Sequence, residues 1–134
     1  MNENLPSPDF DWVTARAKCS ATDMYEVLRS AAKANIATRN KILDESGDKD
    51  RFQFKERQPR GFTVWDTWET RIRRAVDVDL DGQTIKLARQ VGEAITTVTA
   101  SLTLNDRGQC KFKIGSEELD QWQVLKRVLE PIFF

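Results

Sequence analysis

Apolar and polar residues alternate through most of the segment between Phe52 and Ile114. This period of two places apolar side chains on one face of an extended strand and polar side chains on the other. Turn signals interrupt the pattern at Pro59–Gly61, Asp81–Gly82 and Asn105–Gly108, so the segment predicts several short antiparallel strands. Such a sheet has to bury its apolar face, and this requirement constrains the fold more than any other feature of the chain.

Helical signals flank the predicted strands. A long helix is predicted to begin behind Ser20, whose hydroxyl can cap it, and to end at Gly47. A second helix is predicted to begin behind Ser116, with Glu117 and Glu118 in its first turn. The apolar stripe of the first helix comprises Met24, Val27, Leu28, Ala31, Ala34 and Ile42, and that of the second comprises Leu119, Trp122, Leu125, Leu129 and Ile132.

The predicted fold is therefore α+β with two layers. An antiparallel sheet of about six strands packs on one long helix near the N-terminus and one C-terminal helix. Residues 1–8 are expected to be a flexible lead, and residues 9–134 a single α+β domain. The predicted cross-strand pairs are Val78 with Ile85 and Val76 with Leu87, around a loop at Asp81–Gly82, and Leu102 with Phe112, around a loop containing Gly108.

Residues 13–19 fit two structures. Val13, Ala15, Ala17 and Cys19 alternate with polar residues as in a strand, which is favoured slightly, although Phe10, Val13 and Ala17 also fit one face of a helix. With a strand there, the order of elements resembles the helix-grip architecture, in which a curved sheet wraps a long C-terminal helix. That resemblance covers most of the chain, depends on element order alone, and implies a cavity for small apolar ligands.

The absence of histidine excludes several kinds of catalytic site. Ser-His-Asp and Cys-His nucleophile systems need histidine, and so do His-based zinc sites. Cys19 and Cys110 have no second thiol close in sequence, so neither forms a metal or redox motif, and both are expected to be reduced and buried. A carboxylate, a lysine or Tyr25 could still act as an acid or base, but the sequence favours a non-catalytic protein with no cofactor or metal.

The segment from Arg51 to Arg74 concentrates basic and aromatic residues. It has seven basic and three acidic residues, a local net charge of +4, within a chain whose formal net charge is zero. Arginine and tryptophan are common in protein interfaces and on surfaces that stack nucleic-acid bases. Most of the phenylalanines are explained by strand packing, and the candidate binding residues that remain on or near the polar sheet face are Trp65, Trp68, Arg71, Arg73, Arg74 and Lys86.

Two local motifs compete with this interpretation. Asp77–Gly82 matches the opening of a calcium-binding loop, but the position of the bidentate glutamate is Ala88, and the residues fit a strand better. Arg60–Trp65 resembles the start of the aromatic strand signature of RNA-recognition motifs. Only its first three positions match, and core packing of Phe62 is favoured.

The sequence therefore predicts a cytoplasmic, non-catalytic binding domain without a membrane segment. Its expected partner is a protein, including a second copy of itself in a homodimer, bound through the Thr- and Arg-bearing sheet face or through residues 65–74. One alternative is a carrier of small apolar ligands with a cavity under the C-terminal helix. Another is weak binding of single-stranded nucleic acid through residues 51–74, which the zero net charge disfavours.

Overall fold

Three helices and seven strands make up the described part of the fold. A computed structural model describes residues 5–66 and 73–134. The elements in chain order are α1 (Trp12–Lys18), α2 (Ala21–Ser46), β1 (Phe52–Arg57), β2 (Gly61–Asp66), β3 (Arg74–Asp81), β4 (Thr84–Val91), β5 (Ala94–Leu104), β6 (Cys110–Ile114), β7 (Glu117–Leu119) and α3 (Gln121–Phe133). Each strand pairs antiparallel with its neighbour in sequence, so the sheet order follows the chain order. The predicted α+β class is confirmed, with seven strands rather than about six.

The core lies between one face of this sheet and the two longer helices. Helix α2 contacts β1, β3 and β4, and α3 contacts β3, β4 and β6. The largest fully enclosed side chains are Phe52, Phe62, Phe112, Leu28, Ile85, Leu87 and Ile132. Within residues 5–66 and 73–134, no helix combines the length and the apolarity that a membrane crossing requires.

Helix α2 begins and ends as predicted but turns a different stripe toward the sheet. The hydroxyl of Ser20 accepts a hydrogen bond from the Asp23 amide at 3.1 Å, and Gly47 ends the helix at φ +75°. The buried residues are Ala21, Tyr25, Leu28, Ala32, Ile36 and Leu43. Of the predicted stripe, Leu28 is buried and Met24 and Ala31 pack against the core. Val27, Ala34 and Ile42 are exposed, because the sheet packs against the adjacent stripe that contains Tyr25 and Ile36.

The first short helix replaces a predicted strand. Residues 12–18 are helical, and the Asp11 side chain caps them by accepting a hydrogen bond from the Thr14 amide at 3.1 Å. The prediction of a strand over residues 13–19 is therefore wrong, and the helix-grip order loses its first strand. Of the predicted lead over residues 1–8, residues 1–4 lie outside the described residues. Just after the lead, the ring of Phe10 lies against Gly108 in the β5–β6 loop.

Cys19 and Cys110 form a disulfide bond, so the expectation that both are reduced is wrong. Cys19 lies between α1 and α2, and Cys110 is the first residue of β6. Their Cα atoms are 5.4 Å apart although the residues are separated by 91 positions. No local sequence pattern indicates this pairing, because only the folded sheet brings β6 next to the start of α2.

The β3–β4 hairpin has the predicted faces but a different register. Its turn is at Gly82 and Gln83 rather than at Asp81 and Gly82, so Val78 lies opposite Leu87 and not opposite Ile85. Gly82 has φ +61° and is the first central residue of the turn, the position at which type II′ turns take glycine. The β5–β6 hairpin has the predicted pairing of Leu102 with Phe112.

The predicted start of the last helix is also corrected. Residues 117–119 form β7, which pairs with β6 and places Leu119 opposite Phe112. Helix α3 begins after Asp120, where a capping box links Asp120 and Gln123. The reason is a two-residue turn at Gly115 and Ser116, which returns the chain along β6 before the helix can begin.

Candidate protein-interaction surface

A groove separates α2 from α3 on the side of the helix layer that faces away from the sheet. Its volume is about 270 Å³. Most of its lining is apolar, and three of its large side chains are exposed: Ile42 by 47%, Trp122 by 60% and Phe134 by 80%. Large apolar side chains exposed along one groove mark a candidate interaction surface.

Helix α3 supplies both a core face and part of this groove. Val124, Leu125, Val128, Leu129 and Ile132 are buried. Trp122 was predicted on the same core stripe, and its exposure shows that this prediction is wrong. Its side chain lies at the outer border of the stripe, so it meets the groove and not the sheet.

The two final phenylalanines have opposite environments. Phe133 is buried, with its ring centroid 4.8 Å from that of Phe52, whereas Phe134 lies in the groove. Arg39 of α2 holds this end of the chain, because its Nε donates a hydrogen bond to the Phe133 carbonyl at 3.0 Å. The guanidinium carbon of Arg39 also lies 4.1 Å from the centroid of the Phe134 ring, a cation–π contact. Phe134 is therefore exposed to solvent and at the same time held in the groove by its contact with Arg39.

The rim of the groove carries charges of both signs. Lys126 and Glu130 lie one turn apart on α3 and form an ion pair of 3.2 Å. Arg39 adds a positive charge from α2. The three charged side chains of the lining carry a net charge of +1 and include both members of an ion pair.

The cavity predicted under the C-terminal helix is small. A space of about 240 Å³ lies between α3 and strands β4 to β6, with apolar walls from Leu87, Val98, Ile114 and Val128. Arg89 and Arg127 also line it. Binding sites for drug-sized ligands usually have volumes of about 300–1,000 Å³.

The outer face of the sheet carries several of the residues predicted as a binding site. Trp65 is half-buried there, and Lys86 is exposed opposite Asp79. Ile95, 66% exposed, is the largest described aliphatic side chain on this face. Trp68 and Arg71 lie outside the described residues.

The adjacent arginines 73 and 74 have different environments. Arg73 is exposed. The guanidinium of Arg74 forms ion pairs with Asp66 and with Asp50, whose carboxylate oxygen is 3.5 Å away. The Asp66 side chain is only 2% exposed. Arg74 therefore has a structural partner in the protein, whereas Arg73 remains available at the surface.

A cross-strand ion pair occupies the other end of the outer face. Arg57 Nη1 lies 2.9 Å from Asp79 Oδ1, and Arg57 Nε donates a hydrogen bond to Thr63 at 2.7 Å. The hydrogen bond to Asp79 is the main reason that the pKa of Arg57 is raised. Gly61 of β2 lies opposite Arg57 of β1 on one side and opposite Asp79 of β3 on the other. A Cβ atom at Gly61 would overlap the Asp79 carboxylate.

We expect the substitution Gly61→Ala to lower the free energy of unfolding by about 1–3 kcal/mol, the usual cost of overpacking. The new methyl group would have to displace Asp79 from Arg57. Urea unfolding followed by circular dichroism measures the effect. Gln53→Ala, at an exposed position of β1 on the same sheet face, is the matched control, and an equal loss in both variants would contradict the steric explanation.

No family model, curated protein or solved structure matches this chain. Its function is therefore inferred from the geometry of the described residues. Of these, sequence patterns did not identify Ile42, Trp122 and Phe134 as one surface. The available signal was the breadth of the apolar pattern on α2, which has more apolar residues than one sheet-facing stripe requires.

Proposed function

We propose that this protein is a protein-binding domain that associates with a second copy of itself through the groove between α2 and α3. The exposure of Ile42, Trp122 and Phe134 along one groove is the observation that supports this proposal. Large aromatic side chains that become enclosed in a contact supply most of its binding energy. A homodimer would cover the same three residues in both copies.

The charges favour a second copy as the partner. The chain has 21 basic and 21 acidic residues and no histidine, so two copies do not repel each other through net charge. A twofold contact is self-complementary when its surface carries both signs. Lys126 and Glu130 satisfy this condition at the rim, since each can face the opposite charge of the other copy.

Extension of the sheet is a less favourable mode of association. At the β1 edge, the side chain of Asn40 forms two hydrogen bonds with the backbone of Phe52. It donates to the Phe52 carbonyl at 3.0 Å and accepts from the Phe52 amide at 2.9 Å. The same strand ends with Lys55, Glu56 and Arg57. Charged residues and blocked backbone groups are features that discourage edge-to-edge pairing.

We expect Trp122→Ser to weaken self-association by about thirtyfold or more, the loss typical of a hot-spot residue of about 2 kcal/mol. Because Trp122 is 60% exposed, the substitution leaves the core intact. Size-exclusion chromatography with light scattering over a concentration series measures the dimer dissociation constant.

Ile95→Ser is the matched control, because Ile95 is comparably exposed but lies on the outer sheet face. We expect its dissociation constant to stay within about twofold of wild type, as for a residue outside an interface. The reverse result, with loss only in Ile95→Ser, would transfer the contact to the sheet face. Wild-type protein that remains monomeric at about 0.2 mM, where a contact of about 5 kcal/mol is half formed, would overturn self-association.

A carrier of small apolar ligands is the second candidate. The cavity of about 240 Å³ under α3, with Leu87, Val98, Ile114 and Val128 in its walls, is the observation that favours it. Its small size limits the ligand to a compact molecule. Saturable binding of an apolar dye that Val98→Trp abolishes, with the fold retained, would support the carrier function over self-association.

The sequence and the disulfide bond favour different cellular compartments for the protein. The sequence favours the cytoplasm, where thiols are generally kept reduced, whereas a disulfide such as Cys19–Cys110 persists in oxidising compartments. Trapping of free thiols with an alkylating reagent in intact host cells distinguishes the two. Modified cysteines support the cytoplasm, and unmodified cysteines support an oxidising location.

A further inference from the structure

A second, polar pocket lies between α2 and the β1–β2 hairpin. Its volume is about 420 Å³, and it opens between the first turns of α2 and the turn that joins β1 to β2. The side chains that matter for recognition are Tyr25, Glu26, Arg29, Glu56, Arg57 and Arg60. None of these residues belongs to the groove between α2 and α3.

Tyr25 supplies a hydroxyl group to the lining of this pocket. The residue is only 2% exposed, and its ring packs against Phe62 with the centroids 6.0 Å apart. Its hydroxyl makes no hydrogen bond with any residue in the ranges 5–66 and 73–134 and is not an enclosed atom. A phenol hydroxyl that lines an open pocket without a protein partner can donate a hydrogen bond to a ligand there. Burial, with smaller effects of Glu26 and Glu56, raises the pKa of Tyr25, and the phenol therefore remains a donor at neutral pH.

The charged side chains around Tyr25 differ in whether they already form ion pairs. Arg29 pairs with both Glu26 and Glu56 at 2.9 Å, so these two carboxylates are already neutralised in part. Arg57 pairs with Asp79 across the outer sheet face. Among the residues that the structure describes, none forms an ion pair with the exposed Arg60. Arg60 is therefore the lining cation whose donors remain available.

We infer that this pocket binds a small anion that carries a carboxylate or a phosphate group. The planar guanidinium of Arg60 matches either group through two parallel hydrogen bonds, and the hydroxyl of Tyr25 supplies a further donor. The two carboxylates in the lining restrict the ligand, because each already shares Arg29 and both repel a second negative charge. A compact ligand with one anionic group therefore fits better than a polyanion.

The test is a titration of the isotopically labelled protein with inorganic phosphate and, separately, with acetate, followed by backbone amide chemical shifts. Sodium chloride keeps the ionic strength constant, since exposed charges respond to salt alone. We expect saturable shifts at Arg60 and Gly61. Saturation with phosphate only assigns a phosphate-bearing ligand, and saturation with acetate assigns a carboxylate.

Two variants separate the roles of the residues. Arg60→Ala should weaken binding by about tenfold or more, as expected for loss of a charged hydrogen bond, and Tyr25→Phe by about fivefold. Arg73→Ala is the control, because Arg73 is also an exposed arginine but lies outside the pocket. Shifts that stay linear with concentration, or that are equal in wild type and in Arg60→Ala, would overturn the assignment.

Discussion

Replacement of both cysteines in the variant Cys19→Ser/Cys110→Ser should lower the free energy of unfolding by about 4 kcal/mol. The disulfide joins residues 91 positions apart, so it removes conformational freedom from most of the unfolded chain. Since domains of this size are stable by about 5–15 kcal/mol, the loss is a large part of the total. Urea unfolding of the oxidised protein and of the variant measures it.

The same variant provides the control for reduction. Dithiothreitol should shift the urea midpoint of the wild-type protein toward that of the variant and should leave the variant unchanged. A wild-type midpoint that does not respond to the reductant would show that Cys19 and Cys110 are not paired in solution.

The substitution Arg74→Met should cost about 3 kcal/mol of unfolding free energy. It removes the guanidinium from the carboxylates of Asp66 and Asp50, both largely buried. Loss of one partner of a buried ion pair is expensive because the remaining charge keeps its desolvation cost. Thermal or urea unfolding measures the change.

The neighbouring arginine is a matched control. Arg73 is exposed and makes no ion pair with any described residue, so Arg73→Met should change the unfolding free energy by no more than about 0.5 kcal/mol. If the two substitutions cost the same, the ion pairs of Arg74 would not stabilise the fold. The comparison also separates a structural arginine from one that is free to bind a partner.

Strand faces could be predicted from sequence, but strand register could not be predicted reliably. Val76, Val78, Ile85 and Leu87 all lie on the core face, as the alternation requires. A register change of two residues leaves every side chain on the same face, so the pattern accepts both pairings of Val78. The turn decides between them, and its position depends on which residues adopt the backbone angles around Gly82.

Helix α2 shows why the candidate groove could not be predicted. Its sequence contains two neighbouring apolar stripes, and the choice between them depends on where the sheet and α3 lie. Ile42 and Trp122 fit a core stripe equally well in one dimension. Their exposure follows from the three-dimensional arrangement of α2 and α3, which residue spacing along each helix does not contain.

The groove also has a consequence for protein synthesis, because one of the helices that form its walls precedes all the strands in the sequence and the other follows them. Helix α2 and the whole sheet leave the ribosome before residues 121–134 do. A nascent chain therefore lacks Trp122 and Phe134 until its strands are already available to pair. If the groove mediates self-association, neighbouring chains on one messenger RNA cannot join through it until residues 121–134 have been synthesised.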